Sequence, residues 1–198
     1  MLSLFVALTV MAPPTQTAVF AGGCFWGVEG VFEHLKGVQS ASSGYAGGTA
    51  PSPSYEEVSS GTTGHAESVK VVFDPTQISY KQLLTVFFQV AHDPTQLNRQ
   101  GPDVGTQYRS IVFYASDEQK QAAEEYMAEL RAKKAFPKPI VTELVPLKAF
   151  YPAEDYHQGY MQRHPYQPYI VYNDAPKVSR LQRSFPDLYR DQPLAVSR

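Results

Sequence analysis

The chain has 198 residues, with 17 Lys and Arg against 19 Asp and Glu and a net charge of −2. That length is enough for one domain with a substantial core, and the near-neutral balance gives no reason to expect a nucleic-acid partner. The single cysteine, Cys24, excludes a disulfide within the chain and a cysteine-based zinc site.

Leu2 to Ala12 is an uncharged apolar run before Pro13-Pro14. It has the h-region and small-residue end of a signal peptide but no positive n-region, and it is too short to span a membrane. Residues 1–14 therefore read as a signal peptide or a disordered leader. The first implies an exported or periplasmic protein, the second a cytoplasmic one.

The folded part is expected over residues 15–198. Ala18 to Ala21 is an apolar strand. Gly22-Gly23 then turns into a helix from about Cys24 to Leu35, because Phe25, Val28, Phe32 and Leu35 share one helical face. Gly37 stops that helix, and Val38 to Ser43 is weakly strand-like. Thr49 to Gly64, rich in Pro, Ser, Thr and Gly, reads as a long surface loop. Val69, Val71 and Phe73 alternate with Lys70, Val72 and Asp74 in a strand from Glu67 to Asp74. Ser79 to Gln82 has the form of a capping box that opens a helix carrying Leu83, Leu84, Phe87 and Ala91. Thr95 to Gln107 reads as a loop and Tyr108 to Ala115 as a buried strand. Ser116 to Gln119 is a second capping-box pattern, opening a helix with Ala122, Ala123, Tyr126, Met127 and Leu130 inward. A strand over Ile140 to Val145 and a helix from Ala153 to about Arg163 follow. From His164 onward, Pro165, Pro168, Pro176 and Pro186 argue for an irregular tail; after Asp174 it is either disordered or folded over the site. The order β-α-β-β-α-β, with a further helix and strand, predicts an α+β fold: a two-layer sandwich with a mixed sheet and a ferredoxin-like core.

The chemistry centres on Gly23-Cys24-Phe25-Trp26-Gly27. A strand, a glycine turn and a helix put Cys24 at a helix N-terminus, where unpaired N–H groups and the helix dipole favour a thiolate, the reactive form of cysteine. The other reading of a lone cysteine is a small buried hydrophobe. Glu67 lies at the mouth of a strand and can serve as a proton donor if burial raises its pKa, or is a solvated strand end. Asp103 and Tyr108 sit in a glycine-bracketed loop that can approach a ligand closely. Tyr45, among Gly44 to Gly48, can donate its hydroxyl to a polar substrate atom. Each of these also has a bland reading, as a turn aspartate or a packing tyrosine. His65, His92, His157 and His164 match no metal-site spacing.

Together these segments, with Gly64-His65-Ala66-Glu67, Asp93-Pro94-Thr95 and Ala153 to Gln158, resemble the peptide methionine sulfoxide reductases of the A class. The matching pieces run in order from about Ala18 to Tyr166. The resemblance implies one catalytic domain that reduces the S epimer of methionine sulfoxide, free or in proteins. By position, it implies that Cys24 is the nucleophile and Glu67 the acid that protonates the sulfoxide oxygen. Tyr45 and Tyr108 then bond that oxygen, Asp103 supports the polar side, and Phe25, Trp26 and Gly23 bind the substrate around the methyl group. No bound cofactor or metal is implied.

Many members carry resolving cysteines near the C-terminus; this chain has none after Cys24. A Cys24 sulfenic acid is then expected to be cleared by an external thiol: glutathione, glutaredoxin, another small reductant or, less naturally, thioredoxin. The expected partners are the sulfoxide substrate and this reductant, with no membrane insertion and a monomeric protein. Two other readings stand beside this one: a cysteine hydrolase or amidase with His65 or His157 as base, and an aromatic-rich binding module with Cys24 merely buried.

Overall fold

The computed structural model describes residues 14–195. The leader run Leu2 to Ala12 lies outside the described residues. The fold is α+β and its sheet is mixed. β1 (Gln16–Gly22) leads through Gly23, at φ +92°, into α1 (Phe25–Glu33). β2 (Val38–Ala46) follows, then a short α2 (Tyr55–Ser59) and β3 (Ala66–Phe73). α3 (Tyr80–Val86) runs on into a π-turn over Phe87–Ala91. A small hairpin pairs β4 (Arg99–Gln100) with β5 (Asp103–Val104), and a 3-10 turn, Thr106–Tyr108, precedes β6 (Ser110–Tyr114). α4 (Asp117–Ala132), β7 (Glu143–Pro146), β8 (Phe150–Pro152), α5 (Tyr160–Arg163) and α6 (Ala175–Ser184) complete the described chain.

The main sheet has the order β7-β6-β1-β3-β2-β8. β1 is antiparallel to β3 and β6, β2 is antiparallel to β3 and β8, and β6 is parallel to β7. Period-2 alternation decides the faces. Ala18 and Phe20 of β1, Val69, Val71 and Phe73 of β3, and Val112 of β6 join the main core with α1, α3 and α4. Phe20 is its centre, with ring centroids 5.3 Å from Phe32 and 4.8 Å from Phe87. The intervening residues Val19, Ala21, Ile111 and Phe113 form a smaller cluster on the opposite face, covered by Val145, Leu147 and Phe150.

Several boundaries differ from the sequence expectations for local reasons. α1 ends at Glu33, and Leu35 is buried beyond the helix end. The weak strand Val38 to Ser43 extends to Ala46, because β3 and β8 pair with both its edges; Tyr45 is therefore a strand residue, opposite Glu67 and Tyr151, and not a loop residue. Ser54 and Glu57 form a full capping box that nucleates α2 inside the expected loop. At α4, Ser116 accepts from the Gln119 N–H, while the Gln119 side chain accepts from the Ala115 N–H, so the box is only half made.

The tail is the largest difference. It is not irregular: Ile170–Asp174 forms a π-turn that feeds α6, which packs on α1, with Leu181 fully buried. Pro176 lies in the first turn of α6, where its missing N–H has no helical partner to lose, and Pro186 falls just past its end. The prolines thus bracket a helix. Consequently α1, which lies against the sheet on one side, is covered by α6 on the other; only Trp26 is left half-exposed along it.

Candidate active site

Cys24 is the N-cap of α1 and is 8% exposed. It lines a cavity of about 310 Å³ together with His92, Gln100, Asp103, Tyr169 and Lys177. The preceding turn needs its glycine: besides the positive φ of Gly23, a Cβ there would lie 2.5 Å from the Gln100 side chain.

Glu67 is 2% exposed, and its Oε2 accepts the Phe25 N–H at 3.0 Å. The strand register aims Glu67 to the same face as Val69 and Val71, under the start of α1. Burial pushes its carboxyl up to about 8; the Phe25 N–H opposes this, and Asp103 and Asp174 add to it. The group is thus protonated at neutral pH.

The thiol departs from the sequence expectation. A helix start was expected to yield a reactive thiolate; instead burial, with Glu67 and Asp174 adding, pushes the Cys24 pKa well above its ordinary value. The Trp26 N–H and Lys177 act the other way and are outweighed. Desolvation of a sulfur in an 8%-exposed position exceeds the help of a single helix end.

The aromatic residues form a braced wall. Trp26 stacks on Tyr160 with centroids 3.8 Å apart, meets Tyr169 edge-on at 6.0 Å, and donates from Nε1 to His157 Nδ1 at 3.1 Å. Because Trp can only donate, His157 carries its proton on Nε2. Phe25 lies between Trp26, at 6.5 Å, and His157, at 4.9 Å.

Tyr45 is fully buried, and its hydroxyl donates to Glu154 Oε2 at 2.8 Å. Glu154 Oε1 accepts the Tyr55 N–H at 2.8 Å. Burial raises the Tyr55 and Tyr108 phenols, and both lie close enough to Glu67 and Cys24 for those groups to add to the shift when ionised. Asp103 accepts a hydrogen bond from the Tyr169 hydroxyl. The structure therefore gathers Cys24, Phe25, Trp26, Gly23, Glu67, Asp103 and Tyr108, and ties Tyr45 to Glu154. Sequence reasoning missed Tyr55, Tyr169, Asp174 and Lys177. The capping box at Ser54 was the readable sign of ordered structure at Tyr55; Tyr169 caps the π-turn, Asp174 ends it and Lys177 lies on the proline-bracketed helix after it, elements that carry little periodic signal.

The histidines offered as hydrolase bases are engaged elsewhere. His65 Nδ1 accepts the Gly48 N–H at 3.2 Å and its Nε2 lies 2.8 Å from the Ala50 carbonyl; His157 is occupied by Trp26. His92, which shares the cavity with Cys24, is held by the Phe87 carbonyl at 2.9 Å and by Ser110 Oγ at 2.7 Å. Among the described residues, a buried cysteine facing a protonated carboxyl, with its neighbouring imidazoles engaged, points to a cysteine-dependent enzyme built to supply a proton rather than remove one.

The comparisons with known proteins agree. The family model for peptide methionine sulfoxide reductase matches residues 16–188. The chain is 56% identical over 185 residues to a peptide methionine sulfoxide reductase MsrA 2 from Mesorhizobium japonicum, covering 93% of this chain and 95% of that one. It is 51% identical over 177 residues to the MsrA of Thermus thermophilus, covering 89% and 99%. Among solved structures, the reduced form of Mxr1 from Saccharomyces cerevisiae matches with a TM-score of 0.70 at 36% identity, covering 77% of this chain and 87% of that one. Methionine sulfoxide reductase A of Corynebacterium diphtheriae matches with a TM-score of 0.69 at 41% identity, covering 79% of each. Mxr1 in complex with Trx2 matches at 0.51 and 26% identity, covering 77% and 91%. The chain belongs to the peptide methionine sulfoxide reductase family, in its A class. It is an oxidoreductase of protein repair that reduces methionine sulfoxide, and the hydrolase and binding-module readings are not favoured.

Proposed function

We propose that Cys24 attacks the sulfur of methionine-S-sulfoxide while Glu67 gives its proton to the oxygen. A sulfoxide oxygen leaves poorly until protonated, so the attacking sulfur needs an acid beside it. Attack by the Cys24 thiolate forms a bond between Sγ and the substrate sulfur; the oxygen, carrying the Glu67 proton, then passes to Cys24 as the S–O bond and the new S–S bond break, so that methionine is released, Cys24 is left as a sulfenic acid and Glu67 as a carboxylate. The observation that carries this reading is the buried Glu67 carboxyl, raised to about 8 and fixed by the Phe25 N–H at 3.0 Å.

The other residues follow from their surroundings. Phe25 and Trp26 receive the methyl group, and the brace from Tyr160 and His157 keeps that wall rigid. Gly23 lets the turn pass close to Gln100. Asp103, held by Tyr169, supports the polar side. Tyr108 and Tyr55 are the phenols best placed for the sulfoxide oxygen, and Tyr45 acts through Glu154 to hold the start of α2. Exchanging the epimer would set the oxygen against aromatic rings and the methyl against polar donors. Such a mismatch costs on the order of kcal/mol, which supports selectivity for the S epimer.

With Cys24 the single cysteine, two equivalents of an external thiol complete the cycle: the first condenses with the sulfenic acid and releases water, and the second releases Cys24 and the disulfide. The yeast complex with Trx2 supports a thioredoxin as one such donor, and glutathione or glutaredoxin would use the same chemistry. The strand order β6-β1-β3-β2, fully antiparallel and joined β-α-β-β-α-β, supports a ferredoxin-like reading of the core.

The test is an assay of purified protein on the separate S and R epimers of a blocked methionine sulfoxide, with dithiothreitol as reductant and Cys24→Ser as control. Reduction of the S epimer alone, lost in the variant, is the expected result. Reduction of both epimers, or activity in Cys24→Ser, overturns the assignment.

A further inference from the structure

The C-terminal segment brings to the first turn of α1 a charge pair that the chemistry above does not use. The π-turn ends in Asp174, which is 0% exposed, and Lys177 at the start of α6 returns its ammonium to Asp174 Oδ1 at 3.0 Å. The pair lies directly on Gly27. A Cβ at that position would sit 2.0 Å from Asp174 Oδ1 and 2.7 Å from Lys177 Nζ, so only glycine admits it. Gly27 is one helical turn from Cys24, and Lys177 lines the same cavity as the sulfur.

Asp174 Oδ2 is buried without a hydrogen-bond partner. A half-satisfied buried carboxylate is costly, and docking α6 on α1 needs no such group; leucine or alanine would pack there at less cost. The titratable and charged groups around the sulfur are Tyr55 from α2, Glu67 from β3, Asp103 from β5, Tyr108 from the 3-10 turn, His92 after the π-turn of α3, and Tyr169, Asp174 and Lys177 from the tail. His92 is neutral, held down at about 4 by burial. Among the groups acting on Cys24, Glu67 once ionised and Asp174 favour the thiol, and Lys177 favours the thiolate.

We propose that Asp174 and Lys177 are a positioning pair for the reaction that sets the charge state of Cys24: the carboxylate holds the resting sulfur as a thiol, and the ammonium takes up the negative charge that appears on the sulfur when its proton leaves, before attack. This rests on Cys24 being the nucleophile. It suits a chain with a single cysteine, because a resting thiolate is open to oxidation beyond the sulfenic stage, and no second thiol of the chain can intercept it.

The test is alkylation of Cys24 by iodoacetamide, an uncharged probe, in the full chain without sulfoxide, followed by intact mass from about pH 6 to about pH 10. An opposite charge removed or added near a thiol is worth roughly a tenfold change in thiolate fraction. Lys177→Met is expected to slow alkylation about tenfold near pH 8, with Lys177→Arg restoring it; Asp174→Asn is expected to speed it about tenfold. Melting temperatures are measured alongside. Opposite signs for the two variants support the pair's role. Unchanged rates, or changes of one sign that follow the loss of melting temperature, show a pair that merely docks α6 and overturn the proposal. Since no sulfoxide is present, this outcome is independent of whether Cys24→Ser abolishes reduction.

Discussion

The backbone N–H of Phe25 donates to Glu67 Oε2 at 3.0 Å, one residue past Cys24, the proposed nucleophile. That bond fixes the acid relative to the sulfur, because a helix N–H cannot move without the helix. Glu67→Gln keeps an acceptor for Phe25 and removes the proton. The single-turnover rate is expected to fall about a hundredfold or more, the usual worth of a general acid, with the melting temperature little changed. A variant with normal turnover would remove Glu67 from the chemistry.

Two raised groups share the task of proton supply, so the pH profile should carry their mark. Glu67 is raised to about 8 and Cys24 lies well above its ordinary 9.0. The productive state holds one proton between them. The logarithm of kcat/KM on an uncharged substrate should therefore rise with pH up to a bend at about 8 and then level off. It falls only once the second proton leaves. In Glu67→Gln that bend should vanish. A wild-type profile already flat below neutrality contradicts the raised values.

Stability has its own pH signature, in α1. Burial raises Glu29 from 4.5 to about 8, with Glu33 adding, and raises Glu33 from 4.5 to about 7. Each folded pKa lies above its unfolded value. The contribution to stability is therefore full below about 4.5 and is lost as pH rises through about 7 to 8. Each proton accounts for at most about 1.4 kcal/mol per pH unit in that window. Glu29 Oε2 accepts from Ser43 Oγ at 3.0 Å and from the Gly159 N–H at 3.1 Å, and a glutamine can keep the second bond. Glu29→Gln should thus flatten the decline of melting temperature between about pH 5 and about pH 8. An unchanged slope contradicts the assignment.

The tyrosines separate into two kinds. Tyr45→Phe removes the bond to Glu154 at 2.8 Å and is expected to cost about 1–2 kcal/mol of stability with most of kcat retained. Tyr108→Phe is expected to lower kcat with little loss of stability. The reverse pattern in denaturant melts and steady-state rates would return the oxygen-binding role to Tyr45.

How far the sequence reached depended on how local the signal was. The alternation of Val69, Val71 and Phe73 and the capping box at Ser79 are local, and both elements formed where they pointed. Cys24 and Glu67 could be named from the segments around them, although they meet only through the pairing of β1 with β3. Tyr45 was misplaced because its strand is stabilised by two neighbours distant in sequence, which glycine-rich composition does not reveal. The tail was missed because its prolines flank a helix, a distinction that depends on position within the turn. The charge of Cys24 was missed because its burial, and the carboxyls of Glu67 and Asp174 beside it, come together only in three dimensions.

The most direct test of the account is a single turnover of methionine-S-sulfoxide with no reductant present, followed by intact and peptide mass spectrometry. One equivalent of methionine per chain, with one oxygen added at Cys24, is the predicted result. Methionine released with Cys24 unmodified, or with the oxygen on another residue, would contradict it.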